Sequence, residues 1–272
     1  MSTISNPDRQ SVWIEIGRAV AGAFIFGLPL MMTMEMWWMG FYIHPLRLLA
    51  LIVVSFPILV CVSNVIGFRH TREWLDNVLD VFVAYAFGFV ISATTLMLFN
   101  SISWNYFSEI NFQIVMLQAI PASFGALLAR SEIGSGQHDS SIEKRNIDRL
   151  AVLAIGAMYL AFNVAPTEEV QLIAYQMSFW HQLALLVMTL AIMYIFSEAG
   201  SFSAASKRAA YRNIGFALSY TGTAFMVAML ASVFMLWGFG RLDGLAFSQI
   251  IANAVVLLFP AGIGAAAARL II

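Results

Sequence analysis

Residues 121–130 read PASFGALLAR, and residues 260–269 read PAGIGAAAAR. Pro121, Ala122, Gly125, Ala126, Ala129 and Arg130 align with Pro260, Ala261, Gly264, Ala265, Ala268 and Arg269. Further upstream, GAFIFGLPLMMTMEMWW (22–38) aligns with GAMYLAFNVAPTEEVQL (156–172), matching Gly22 with Gly156, Thr33 with Thr167 and Glu35 with Glu169. The same spacing pairs Ser63 with Ser197, and the spacing of the later block is five residues larger, which two short loop insertions explain. Small residues recur by chance in apolar helices. A ten-residue block of this density, closing each half of the chain, instead predicts an internal repeat.

The solvent of that repeat follows from composition. Of 272 residues, 61% are hydrophobic and 11% charged, whereas a soluble domain carries about 25% charged residues. There is too little polar surface to face water. Apolar segments lie at about 15–38, 46–66, 78–99, 110–129, 149–167, 175–197, 213–237 and 247–268, each near the roughly 20 residues a helix needs to cross hydrocarbon. Backbone groups in lipid must be bonded within their own segment, so these are helices. The expected fold is an all-α integral membrane protein of about eight transmembrane helices, built as two parallel four-helix repeats.

Charge placement orients the chain. Of its 14 lysines and arginines, all but Arg47 and Arg241 fall at the N-terminal end, in or at the edge of the even-numbered connections, or at the C-terminal end. This positive-inside bias predicts two cytoplasmic termini. The polar start of the chain and the length of the apolar stretch after it read as a retained first span and not a secretory signal. The polar run Ser131–Asp148 divides the chain near its middle and has the composition of a solvated linker. The expected organisation is a cytoplasmic segment at 1–14, a first repeat at 15–130, a cytoplasmic linker at 131–148 and a second repeat at 149–272.

Ionisable side chains at membrane depth are costly and so are functional candidates. Glu35, Glu109, Glu168, Glu169 and Asp243 make the outer side acidic, which would raise the local cation concentration at an outer mouth. Asp243, between Arg241 and Gly244, reads as a solvated loop acid. Glu35 and Glu169 each follow a threonine by two residues at an outer helix end. Two carboxylates with the hydroxyls of Thr33 and Thr167 would suit a hard cation or a proton site between the halves; the alternative is that each glutamate reaches the outer headgroups. Glu168 and Glu169 would point about 100° apart on a continuous helix, so one of them would face such a site. Asn163, Pro166 and Thr167 form a polar, helix-weakening cluster, and Pro29 precedes Thr33. Proline frees a carbonyl one turn earlier, and freed carbonyls either line cavities or are satisfied by neighbours. Asp80 on the inner side and Glu109 on the outer side are pathway candidates, with an acid near its helix N-terminus as the alternative for Asp80. Ser92, Thr94, Thr95, Gln113, Gln118, Ser219, Thr221, Thr223 and Asn253 either line a pathway or glue helices together.

No HExxH, CxxC, GxxxxGK[ST] or GxSxG occurs, so no enzyme class or nucleic-acid partner is indicated. Lys144 and Lys207 lie in connections, which removes a retinal Schiff base within a helix. The methionines from Met31 to Met39 read as lipid or core packing, Cys61 as a small apolar side chain, and the scattered histidines point to no particular metal. No cofactor is expected, the bilayer is the one certain partner, and self-association is left open.

The stretches GLPLMMTMEMWW and FNVAPTEE, with the eight-span layout, resemble an uncharacterised family of bacterial integral membrane proteins across nearly the whole chain. The resemblance implies a multi-pass protein of the bacterial inner membrane and carries over no catalytic or binding residue. The leading expectation is a transport protein or channel for a cation or proton. A non-transporting scaffold or accessory subunit of a larger complex is the alternative.

Overall fold

A computed structural model describes residues 7–66, 74–102, 108–132, 146–199 and 214–271. The proposed linker at 131–148 lies largely outside these residues, as do residues 1–6 of the N-terminal segment, whose residues 7–14 belong to the first helix. The described chain forms ten helices and no strand: α1 (Pro7–Met31), α2 (Met34–Tyr42), α3 (Pro45–Ile66), α4 (Trp74–Leu98), α5 (Glu109–Glu132), α6 (Asn146–Val164), α7 (Glu169–Gln176), α8 (Phe179–Ala199), α9 (Ile214–Gly238) and α10 (Phe247–Ile271). Six of them, α3, α4, α5, α8, α9 and α10, are long and apolar enough to cross a membrane by themselves. The remaining four form two bent pairs, α1 with α2 at 79° and α6 with α7 at 88°, and counting each pair as one span brings the total to eight.

The bends correct the expectation of one straight span at 15–38. Helix α1 stops at Met31, and α2 leaves in a new direction with Trp37, Trp38, Phe41 and Tyr42 on it. Pro29 inside α1 has no N–H to give, and the helix ends within one turn of it. The second bend follows the same logic, with Pro166 between α6 and α7.

The helices fall into two compact units, residues 1–41 with 63–143, and residues 42–62 with 144–272. Residues 42–62, which the sequence reading kept within 15–130, group with the second unit, so the division is not a single cut at the linker. In the first unit α5 is the central element: 78% of its crossing segment is buried, against 39% for α4. It packs on α1 where Gly22 meets Gly125, each with the other's carbonyl where a Cβ would be. It packs on α4 where a Cβ at Gly88 would lie 2.6 Å from the Ala119 carbonyl and from the Ser123 hydroxyl. Gly40 brings α2 against Ile114 in the same way.

In the second unit α10 holds the corresponding place, 67% buried, and meets α6 where Gly156 abuts Gly264. The aligned glycines thus make equivalent close crossings, one within each unit. Only Gly permits backbones to approach this closely, the small-residue packing expected of helices in lipid. Phe162 of α6 packs edge-on against Phe239 after α9 at 5.5 Å. Helix α8 is the outlier, with 11% of its crossing segment buried.

Helices α4 and α9 end alike. Ser101 N–H donates to Leu96 O at 2.9 Å and Asn100 N–H to Met97 O at 3.0 Å; Arg241 N–H donates to Leu236 O at 2.8 Å and Gly240 N–H to Trp237 O at 3.0 Å. Asn100 and Gly240 carry the left-handed backbone, at φ 56° and 71°, that such a C-terminal turn requires.

Candidate functional site

The Thr-x-Glu segments sit at the two bends. In the first unit the Thr33 hydroxyl donates to Leu30 O at 2.9 Å, and the Trp37 indole N–H donates to Met31 O at 2.8 Å. The end of α1 is closed by side chains one turn either side of the break. Glu35 is half-buried in the first turn of α2, where a carboxylate faces the helix's positive end.

The second unit repeats the threonine. The Thr167 hydroxyl donates to Val164 O at 2.8 Å, and Asn163 donates back to Tyr159 O at 2.8 Å, within its own helix. The tryptophan is absent here, and an arginine from another element takes over. Arg241, just beyond α9, donates to the Pro166 carbonyl, lies 3.8 Å from Glu168, and accepts at its own carbonyl a hydrogen bond from Gln171 at 3.0 Å. Glu168 precedes α7 as its N-cap and Glu169 opens the helix, so they are not successive residues of one continuous span. Both are exposed.

This arrangement bears on the cation cage expected from the sequence. Thr33 and Thr167 direct their hydroxyls to local acceptors, the carbonyls of Met31 and Pro166 are already hydrogen-bonded, and a guanidinium occupies the second break. A dehydrated cation would have to displace those donors. What the breaks do offer is a carboxylate in the first turn of each following short helix. Glu35 and Glu169 belong to different units.

Asp243, read from sequence as a solvated loop acid, is exposed in the loop between α9 and α10 and forms a bidentate ion pair there. Arg47 at the start of α3 reaches it through both terminal nitrogens, at 2.8 and 2.7 Å, and stacks over Trp237 at 5.6 Å. The hydrogen bonds from Arg47 lower the Asp243 pKa. The two outer arginines are thus both engaged, within the second unit, with the loop between α9 and α10 or its neighbours. No sequence signal joined residues 47 and 243; the sole hint was that they are opposite charges on one side of the membrane.

The remaining candidates are placed separately. Ser63, buried on α3, approaches Asp80 of α4 at 3.5 Å. Glu109 is exposed in the first turn of α5, behind Ser108, whose hydroxyl accepts from Asn111 N–H at 3.2 Å; it reads as an N-terminal acid on its helix dipole. Among the described residues no group of three or more His, Cys, Asp or Glu could hold a metal.

Of the polar residues named from sequence, Ser92, Gln118, Thr221 and Asn253 are buried within spans, and each has a side-chain polar atom with no hydrogen-bond partner. For Gln118 this is true of both amide atoms. A buried group left so costs about 1–3 kcal/mol.

No curated protein and no solved structure matches the chain. A family model does, over residues 15–272, under the description "Putative integral membrane protein (DUF2391)". The match takes in every helix from α2 to α10 and most of α1, so the chain is a member of this family of integral membrane proteins.

Proposed function

We propose that the protein is a transport protein for a small cation in the bacterial inner membrane, with both termini cytoplasmic and two duplicated halves. The observation that carries the reading is the pair of broken spans, each with threonine at the break and glutamate in the first turn of the following short helix. Discontinuous helices are a recurrent feature of transport pathways. The equivalent glycine crossings and the equivalent ends of α4 and α9 support the duplication. Glu35 and Glu169 act here as attracting charges, each at the break in its own unit, and not as a dehydrating cage. No enzymatic role belongs to this reading.

The test is flux in proteoliposomes. Glu35→Gln with Glu169→Gln should lower uptake of a monovalent cation at low ionic strength, with the deficit shrinking as salt screens the acids. Uptake equal to wild type at low salt overturns the assignment of these residues.

A second reading, a non-transporting scaffold or accessory subunit, is favoured by α8. Phe179, Trp180, Leu183 and Val187 are exposed on a span that is 11% buried, a surface fit for lipid or for a partner's helix. Recovery of a stoichiometric partner on gentle solubilisation, together with absence of flux, would favour it.

A further inference from the structure

The first unit contains a polar pair with no counterpart at the aligned positions of the second, where the unpartnered Thr221 and Asn253 atoms lie at other levels of α9 and α10. Gln118 of α5 and Ser92 of α4 are both fully buried, and neither amide atom of Gln118 nor the hydroxyl of Ser92 has a hydrogen-bond partner. Their heights in the unit follow from helix register. Gly88 lies against Ala119 and Ser123, and Leu96, two turns along α4, packs with Ile114 and Val115, two turns back along α5. The helices are antiparallel, so Ser92, midway between Gly88 and Leu96, is level with Gln118. By residue count it lies about 9 Å from the end of α4.

The second unit provides an internal control. Aligning the matching ends of α4 and α9 sets Ser92 against Ser232, and aligning the proline blocks of α5 and α10 sets Gln118 against Leu257. Ser232 is buried too, but its hydroxyl folds back to Ala228 O at 2.8 Å, the usual resting place of a helical serine in lipid. Leu257 is buried and apolar. The first unit has a glutamine where the second has leucine, and there the facing serine gives up its bond to its own helix. Two departures at one level call for a common cause.

We propose that Gln118 and Ser92 line an internal site that holds a water molecule in the first unit. The chemistry selects the occupant. An amide exposes donors and acceptors together, and a hydroxyl does the same. A cation would satisfy the acceptors and leave the amide N–H groups bare. No carboxylate is needed at this level, and the cluster of Leu96, Ile114 and Val115 one turn toward the end of α4 is apolar. A water bridging two buried polar groups is the common resolution of such a pair. This inference is independent of the transport reading and stands or falls without flux data.

The test is hydroxyl-radical labelling of the whole protein by X-ray pulses in ¹⁸O-water, in detergent or nanodiscs. Leu117, adjacent to Gln118 and 0% exposed, can be labelled only by radicals born from water trapped inside the unit. The expected result is labelling of Leu117 in wild type that falls several-fold in Gln118→Leu, a replacement the second unit already carries at the aligned position. Ser92→Ala, which removes one wall only, should lower it as well and serves if the first variant fails to fold. An unlabelled Leu117 in wild type, or labelling unchanged in whichever of the two variants folds, overturns the proposal.

Discussion

Threonine at a break and arginine beyond it show how single side chains decide what a helix end can do. The Thr33 and Thr167 hydroxyls reach carbonyls three residues back, so the residues most suggestive of a cation site first serve to end a helix. Arg47 and Asp243 show the reverse: residues without any motif form the best-defined ion pair on the outer side. Asp243 is largely exposed, and exposed pairs are worth about 0.2–1 kcal/mol, so the bond serves placement of α3 more than stability. Because the folded pKa of Asp243 lies below its ordinary value, its contribution is complete above the unfolded-chain pKa and is lost as pH falls through the folded one. Thermal unfolding from pH 7 down to pH 3 should therefore show a small acid-dependent loss in wild type. Asp243→Asn should lower stability slightly at neutral pH and flatten that acid slope; an unchanged slope would mean that the pair contributes nothing.

At the scale of the element, glycine placement matters more than hydropathy. Gly22, Gly125, Gly156 and Gly264 sit where a Cβ would overlap the facing backbone, whereas Gly17 and Gly222 have nothing within 4 Å. Substitution should divide along that line. Gly22→Leu or Gly156→Leu should destabilise by about 1–3 kcal/mol or more through overpacking. Gly222→Ala should be neutral or stabilising by up to about 1 kcal/mol, since it only restricts the chain in a helix interior. Thermal unfolding in one detergent measures both, and equal effects at Gly156 and Gly222 would rule out the close crossing. The broken spans are equally a property of elements. A proline lies at each bend, Pro29 in the last turn of α1 and Pro166 between α6 and α7, but the partner that closes the end differs: a tryptophan within α2 in one unit and an arginine from beyond α9 in the other.

For the whole molecule, the charge bias makes a prediction about topology that packing alone does not. In a Cys61→Ser background, Glu168→Cys should react with a membrane-impermeant maleimide on intact cells. Reaction only after lysis would invert the orientation. The grouping of residues 42–62 with 144–272 adds that the two units are not simply the two halves of the sequence. Helix α3 contributes Arg47 to the second unit, where Leu51 also lies against Gly238.

The sequence by itself determined the membrane class, the approximate placement of the spans, and the repeated glycines and Thr-x-Glu segments. These features are local or repeated: a helix in lipid must satisfy its backbone within its own segment, so about 20 apolar residues announce it, and a repeated packing site leaves the same small residues twice. Tertiary structure decided the rest. That α1 and α6 are followed by sharp bends, that Arg241 closes one break, that Arg47 meets Asp243, and that Ser92 and Gln118 are buried without hydrogen-bond partners all depend on which side chains packing brings together. Partners separated by 75 or 196 residues leave no periodicity in the chain. They are fixed only when the close helix crossings set the depth and rotation of each span.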